Sequence, residues 1–89
     1  MKIKLELFGA SRDFSNKDHL DIEVQDKASI NDLRNEIIKH VDKNFSGNEN
    51  FIKVVKSSAF CSENNEIISD NYKITKDQKI GIIPPIGGG

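Results

Sequence analysis

Ser29-Ile30-Asn31-Asp32-Leu33-Arg34-Asn35-Glu36-Ile37-Ile38-Lys39-His40-Val41-Asp42-Lys43-Asn44-Phe45 is the stretch in which the chain changes its period. Ile30, Leu33, Ile37, Val41 and Phe45 recur at helical spacing, and Ile38 widens the stripe, so one face of a helix is apolar. Ser29 is placed to cap that helix, because its hydroxyl can accept from a backbone N–H that the first turn leaves unpaired. Asp32, three residues on, gives a weaker form of the capping box and suits the positive helix end. Lys39, His40 and Lys43 fall near the negative end, and Asn44 or Gly47 can stop the helix. The spacing predicts a single helix over residues 30–44.

On either side the period is two. Ile3, Leu5 and Leu7 alternate with Lys2, Lys4 and Glu6, and Leu20, Ile22 and Val24 alternate with His19, Asp21 and Glu23. Two such strands across a polar loop anchored by Phe14 suggest an antiparallel hairpin. After the helix, residues 46–50 read as a loop. The signal over 51–62 is mixed, and a strand is placed at 57–62 with Ala59 and Cys61 on one face. Glu63-Asn64-Asn65-Glu66 reads as a tight turn, because asparagine tolerates positive φ. Ile67-Ile68 is then a short return strand. Residues 69–78 form a polar connection with Tyr72 and Ile74 as core anchors, and 79–83 the last strand. Hairpin, helix, short strands and final strand give an α+β fold. One main helix packed on one face of a mixed sheet points to the β-grasp, or ubiquitin-like, arrangement, with first and last strands parallel neighbours. The predicted division is a β-grasp domain over 1–83 and a flexible tail over 84–89.

The composition excludes several function classes. Eighty-nine residues make one domain. Charged residues are 30% of the chain with a net charge of -1, so no basic stripe favours nucleic acid and no polybasic block favours a membrane. Met1-Lys2-Ile3-Lys4 is no signal region and no later run could span a bilayer, so a cytoplasmic protein is expected. One cysteine excludes an internal disulfide, and Cys61 reads as a small buried strand residue. His19 and His40, far apart in sequence, give no metal-ligand spacing and suit surface or capping roles. Acidic residues are scattered along solvent faces, and Gly87, Gly88 and Gly89 have no helix after them to make a phosphate loop. The body therefore offers no enzyme active site, no metal site and no bound cofactor.

The chemistry is at the end: Ile80-Gly81-Ile82-Ile83-Pro84-Pro85-Ile86-Gly87-Gly88-Gly89. A terminal glycine carboxylate has no Cβ beside the reacting carbon. With a reference pKa of about 3.5 it is ionised at neutral pH and a poor electrophile. It must be activated first, for instance by adenylyl transfer from ATP on a separate enzyme. Three glycines can follow a narrow channel in conformations closed to other residues. Pro84 and Pro85 hold φ at about −65°, donate no hydrogen bond and stop the tail from extending the sheet. The plain alternative is a frayed end or a linker remnant. Strand parity adds a second feature. If Leu7 and Ile82 face the core, Phe8 and Ile83 face away from the helix beside the tail's exit. With Phe60 added, these residues form an expected apolar docking patch, unless the Phe14 loop covers Phe8 or Ile83.

At these residues the chain resembles the small subunit of molybdopterin synthase, within the MoaD/ThiS-type ubiquitin-like sulfur carriers that include the thiazole-biosynthesis carrier. Members end in Pro-Pro, two variable residues and Gly-Gly after a hydrophobic strand; Pro84-Pro85, Ile86-Gly87 and Gly88-Gly89 match in place. The strand from Lys4 to Phe8 followed by Ala10, Arg12 and Asp13, the helix start from Ser29 to Leu33, and the strand from Lys79 to Ile83 are similar too. The likeness covers nearly the whole length, strong at the tail and weak between Phe45 and Tyr72. It departs at Ala59-Phe60-Cys61-Ser62-Glu63-Asn64, and at Ile82-Ile83, where aromatic residues are frequent.

The resemblance implies a cycle on Gly89. A ubiquitin-activating-type adenylyltransferase makes an acyl-adenylate, a sulfur donor converts it to a thiocarboxylate, and the tail enters the large synthase subunit to give sulfur to a pterin precursor. Gly87, Gly88 and Ile86 are then passage residues, and Pro84 and Pro85 the stalk. ATP and zinc belong to the activating enzyme, and the pterin to the large subunit. Other acceptors (thiazole, tRNA, a cysteine-forming enzyme, a tungsten-type pterin), conjugation of Gly89 to a lysine, and an interaction module with an inert tail are the competing expectations.

Overall fold

A computed structural model describes residues 1–85 of the chain. The alternation of the first residues becomes β1 (Lys2–Leu7), in which Ile3, Leu5 and Leu7 are buried. A 3-10 segment (Gly9–Phe14) follows, and then β2 (His19–Glu23), antiparallel to β1 with Leu5 opposite Leu20. The two-residue β3 (Ala28–Ser29) leads straight into α1 (Ile30–Asn44). Both halves of the capping box form: the Asp32 N–H donates to the Ser29 hydroxyl at 3.1 Å, and the Ser29 N–H donates to the Asp32 carboxylate at 2.9 Å. The helix ends as the sequence suggests. Its cap is Phe45, and Ser46 and Gly47 take φ of 54° and 68° to turn the chain away.

The mixed stretch that follows is a second helix, α2 (Glu49–Ser57), which was not expected. Asn48 caps it, its side chain accepting from the N–H groups of Asn50 and Phe51 at 3.0 and 3.2 Å. Phe51-Ile52-Lys53-Val54-Val55 has apolar residues in adjacent pairs and is rich in β-branched side chains, so its period is ambiguous. Packing settles it. Val55 is fully buried, and Phe51 lies at 5.1 Å from both Phe14 and Phe45, making an aromatic cluster under the 3-10 segment.

β4 (Ala59–Cys61) and β5 (Ile67–Ile68) pair antiparallel across the Asn-Asn turn, in which Asn65 has φ of 62°. β6 (Lys73–Ile74) pairs with β3 as a separate two-stranded ribbon. Ile74 is buried there as expected. Tyr72 is not a core anchor: it is 38% exposed, and its hydroxyl donates to the Gln78 side chain at 3.2 Å, since a phenol needs a polar partner that the core cannot supply. β7 (Gln78–Ile83) closes the main sheet, whose order is β2-β1-β7-β4-β5.

β7 runs parallel to β1, and α1 lies in the crossover between them, so the β-grasp arrangement is the observed one. The core lies between the sheet and the helices. Ile3, Leu5, Leu7, Ile80 and Ile82 meet Ile30, Leu33, Ile37 and Val41 there, all at 2% exposure or less. Among the described residues no helix is long and apolar enough to cross a membrane.

Candidate functional site

The tail leaves the domain from a fixed root. Leu7 is the last residue of β1, and the Phe8 carbonyl beyond it is held twice by Ser11, through its N–H at 3.1 Å and its hydroxyl at 2.6 Å. Ser11 is fully buried, so these bonds are sheltered from water. Gly9 then takes φ of 55° to turn the chain into the 3-10 segment. The Pro84 ring sits next to it; a Cβ at Gly9 would lie 3.9 Å from Pro84 Cδ and Cγ. Pro84 is buried and Pro85 exposed. Together with Ala10, Asn50, Lys53, Val54 and Ser57 they border a cleft of about 230 Å³ between the root and α2. Ile86, Gly87, Gly88 and Gly89 lie outside the described residues, so the passage and reacting roles expected for them rest on sequence.

Beside the root is the sheet face that neither α1 nor α2 covers. Strand register assigns its occupants, because directly paired residues share a face. Glu6 pairs with Gly81, Gly81 with Cys61, Cys61 with Ile67, and Ile83 with Ala59. This outer face is polar toward one end, where the Lys79 ammonium lies 3.3 Å from the Glu6 carboxylate. It is apolar toward the tail. Phe8 is 38% exposed, Ile83 half-buried, and Ile67 68% exposed. The strip from Phe8 to Ile67 crosses three strand spacings, or roughly 15 Å. Phe14 does not cover it: that ring is 1% exposed and packs inward against Phe51.

Phe60 does not belong to this surface. It is 1% exposed and pairs with Ile82 on the inner face, where the Arg34 guanidinium stands 5.1 Å from its ring centre. Placing Ala59 and Cys61 on one face already puts Phe60 on the other. Antiparallel pairing with β7 makes that other face the core. Ile67 is the surface residue that sequence reading passed over. The turn at Asn64-Asn65 carries the signal, since a hairpin there pairs Ile67 with Cys61 and so turns it outward.

Both histidines are tied to neighbouring groups. His19 bonds the Asp18 carboxylate at 3.0 Å, and that bond holds the Asp18 carboxyl below its ordinary range. His40 Nε2 lies 3.2 Å from the Phe14 carbonyl and Nδ1 3.2 Å from the Asn44 amide nitrogen. It ties the end of α1 to the loop that carries Phe14. Cys61 is 5% exposed. Among the described residues no cluster of His, Cys, Asp and Glu could hold a metal ion.

Residues 5–89 match the ThiS family. Two solved structures are similar. A Pyrococcus furiosus protein with a provisional assignment as molybdopterin converting factor, subunit 1, is 23% identical, with 96% of this chain and 98% of that one covered and a TM-score of 0.69. SAMP1 from Haloferax volcanii is 13% identical over the full length of both chains, with a TM-score of 0.67. At these identities the likeness establishes the shared fold. No curated protein matches the chain.

Proposed function

We propose that this chain, which belongs to the ThiS family of ubiquitin-like sulfur carriers, is the small subunit of a molybdopterin synthase. The observation that carries the proposal is the position of the tail: a Pro-Pro-Ile-Gly-Gly-Gly end that starts at the rim of an exposed apolar face. A terminus that must enter another protein needs a surface beside it for that protein to hold. Phe8, Ile83 and Ile67 supply it.

The Gly89 carboxylate attacks the α-phosphorus of ATP on a ubiquitin-activating-type adenylyltransferase and pyrophosphate leaves. A hydrosulfide-level sulfur donor then attacks the acyl carbon, the C–S bond forming as the acyl–phosphate C–O bond breaks and AMP leaves, so that a terminal thiocarboxylate remains. Its sulfur is a better nucleophile than the oxygen it replaces. The large synthase subunit receives the tail, the thiocarboxylate sulfur displaces an oxygen leaving group of the pterin precursor, and water cleaves the remaining acyl–sulfur bond to return the Gly89 carboxylate. The chain itself contributes presentation: Pro84 seated against Gly9 fixes where the tail starts, and the glycines give it a thin profile. ATP is the activating enzyme's substrate, and the pterin binds the large subunit.

Intact-mass spectrometry of the chain after incubation with activating enzyme, ATP and sulfur donor tests this. One oxygen replaced by sulfur at Gly89, followed by loss of that sulfur to a pterin precursor when the large subunit is added, is the expected result. A thiocarboxylate discharged only to thiazole or tRNA acceptors would assign the carrier to another pathway. An adduct on lysine would make it a protein modifier, and an unchanged mass would make it an interaction module with an inert tail. Deleting Gly89 abolishes the mass change and leaves the melting temperature as it was.

A further inference from the structure

Gly81 occupies a position where glycine is costly. It lies within β7, with β1 on one side and β4 on the other, and glycine in a strand interior weakens the sheet because it has no side chain to pack. Its backbone does not require glycine either: Gly9 and Gly47 have positive φ and Gly81 does not. Space is the remaining reason. A Cβ at Gly81 would stand 2.8 Å from Phe8 Cε2 and 2.8 Å from Cys61 Sγ, distances that real Cβ atoms do not adopt. The Phe8 ring therefore folds back from the end of β1 and lies on the bare backbone of Gly81, with Cys61 at the edge of the same spot. Its carbonyl is pinned by Ser11 at the same time.

We infer that Gly81 is a positioning residue that presents Phe8 as a rigid anchor to the protein that receives the tail, with Cys61 as the far wall of the seat. The inference rests on the docking role proposed above for the outer face. An aromatic ring already held in its bound orientation loses little rotamer freedom when a partner covers it. One that must first be immobilised weakens binding by roughly 2- to 10-fold. An alanine at 81 forces the ring off the sheet, so Phe8 remains present but is no longer held.

Sulfur transfer from the thiocarboxylated carrier to the pterin precursor on the purified large synthase subunit, with the carrier concentration varied, reads this directly. Gly81→Ala is expected to raise KM for the carrier roughly 2- to 10-fold with kcat unchanged. Phe8→Ala raises KM as well, and the double variant is no worse than Phe8→Ala alone, because the glycine acts only through the ring. A lowered melting temperature with unchanged KM, or effects of the two substitutions that add, would make Gly81 a packing residue and overturn the inference while the docking role stands. If Phe8→Ala leaves KM unchanged, Phe8 is no anchor and this inference fails; if Ile67→Ala leaves it unchanged too, the docking role of the face fails with it. Should Gly81→Ala not fold, Cys61→Ala loosens the same seat without adding bulk; it is expected to raise KM in the same sense, and an unchanged KM overturns the inference.

Discussion

Ile67 is the most informative residue to change, because its side chain is 68% exposed and its removal takes little from the fold. Completely burying an exposed isoleucine or phenylalanine stabilises by about 1.5–3 kcal/mol. Scaled by exposure, a partner that covers the outer face gains about 1–2 kcal/mol from Ile67 and about 0.6–1.1 kcal/mol from the 38% exposed Phe8. Ile67→Ala is therefore expected to weaken docking about 5- to 30-fold, and Phe8→Ala about 3- to 6-fold. The order is the discriminating part. From sequence Phe8 is the obvious aromatic anchor, whereas by exposure the isoleucine on the far strand contributes more.

Titration calorimetry of each variant against the purified large subunit of the proposed synthase measures both numbers. Glu23→Ala serves as control, since Glu23 pairs with Lys2 on the polar side of the same sheet. The melting temperature of Ile67→Ala should stay within a few degrees of the parent, as an exposed side chain on a two-residue edge strand stabilises little. An unchanged affinity for Ile67→Ala, with a loss for Phe8→Ala, would confine the docking face to the tail root and refute the estimate from exposure. Equal losses for Glu23→Ala would show that the whole face, not its apolar strip, is bound.

Ser29→Ala removes one half of the α1 cap and should cost about 1 kcal/mol, a fall of about 4–8 °C in melting temperature for a domain of this size. The two Ser29 bonds, backbone first, hold the Asp32 carboxyl below its ordinary value of 3.8, so the stability it contributes is complete above that pH and lost as pH falls through the lowered value. Asp32→Asn should accordingly flatten that part of an acid melting profile, and an unaltered profile would count against the cap. Phe14→Ala opens the aromatic cluster that holds α2 and should cost about 3–5 kcal/mol in urea unfolding. Arg34 donates to the Ser58 carbonyl at 3.1 Å and stacks on Phe60, so Arg34→Ala should cost about 1–3 kcal/mol.

What could be read from sequence was what a single segment decides for itself. α1 is one, because fifteen residues of 3.6 periodicity between a serine cap and a glycine leave one solution. β1 and β2 are others, since their alternation survives any partner. α2 was hidden because nine residues with apolar pairs fit a helix or a strand equally, and the contact that selects the helix, Phe51 on Phe14, spans thirty-seven positions of chain. Tyr72 looked like a core residue on hydrophobicity alone; its hydroxyl made the difference. At the site, Phe8 and Ile83 followed from parity along their own strands. Phe60 and Ile67 needed the register of β4 against two neighbours, which lies between segments and not within any of them.

The direction of one strand pair puts the root of the tail beside the exposed apolar face. β1 and β7 run parallel, with Leu7 opposite Ile82, so the residues that follow them, Phe8 and Ile83, emerge at the same end of the sheet. Pro84 follows Ile83 directly, so the chain leaves beside Phe8, with the Pro84 ring 3.9 Å from where a Cβ on Gly9 would stand. Had the same two strands paired antiparallel, Phe8 would stand at the opposite end, roughly 20 Å away for strands of this length. A partner holding that face could not then hold the root of the tail. The crossover through α1 is what permits parallel pairing, since neighbouring strands joined by a short turn must run antiparallel. The helix that dominates the sequence thus fixes the root of the tail beside the exposed apolar face.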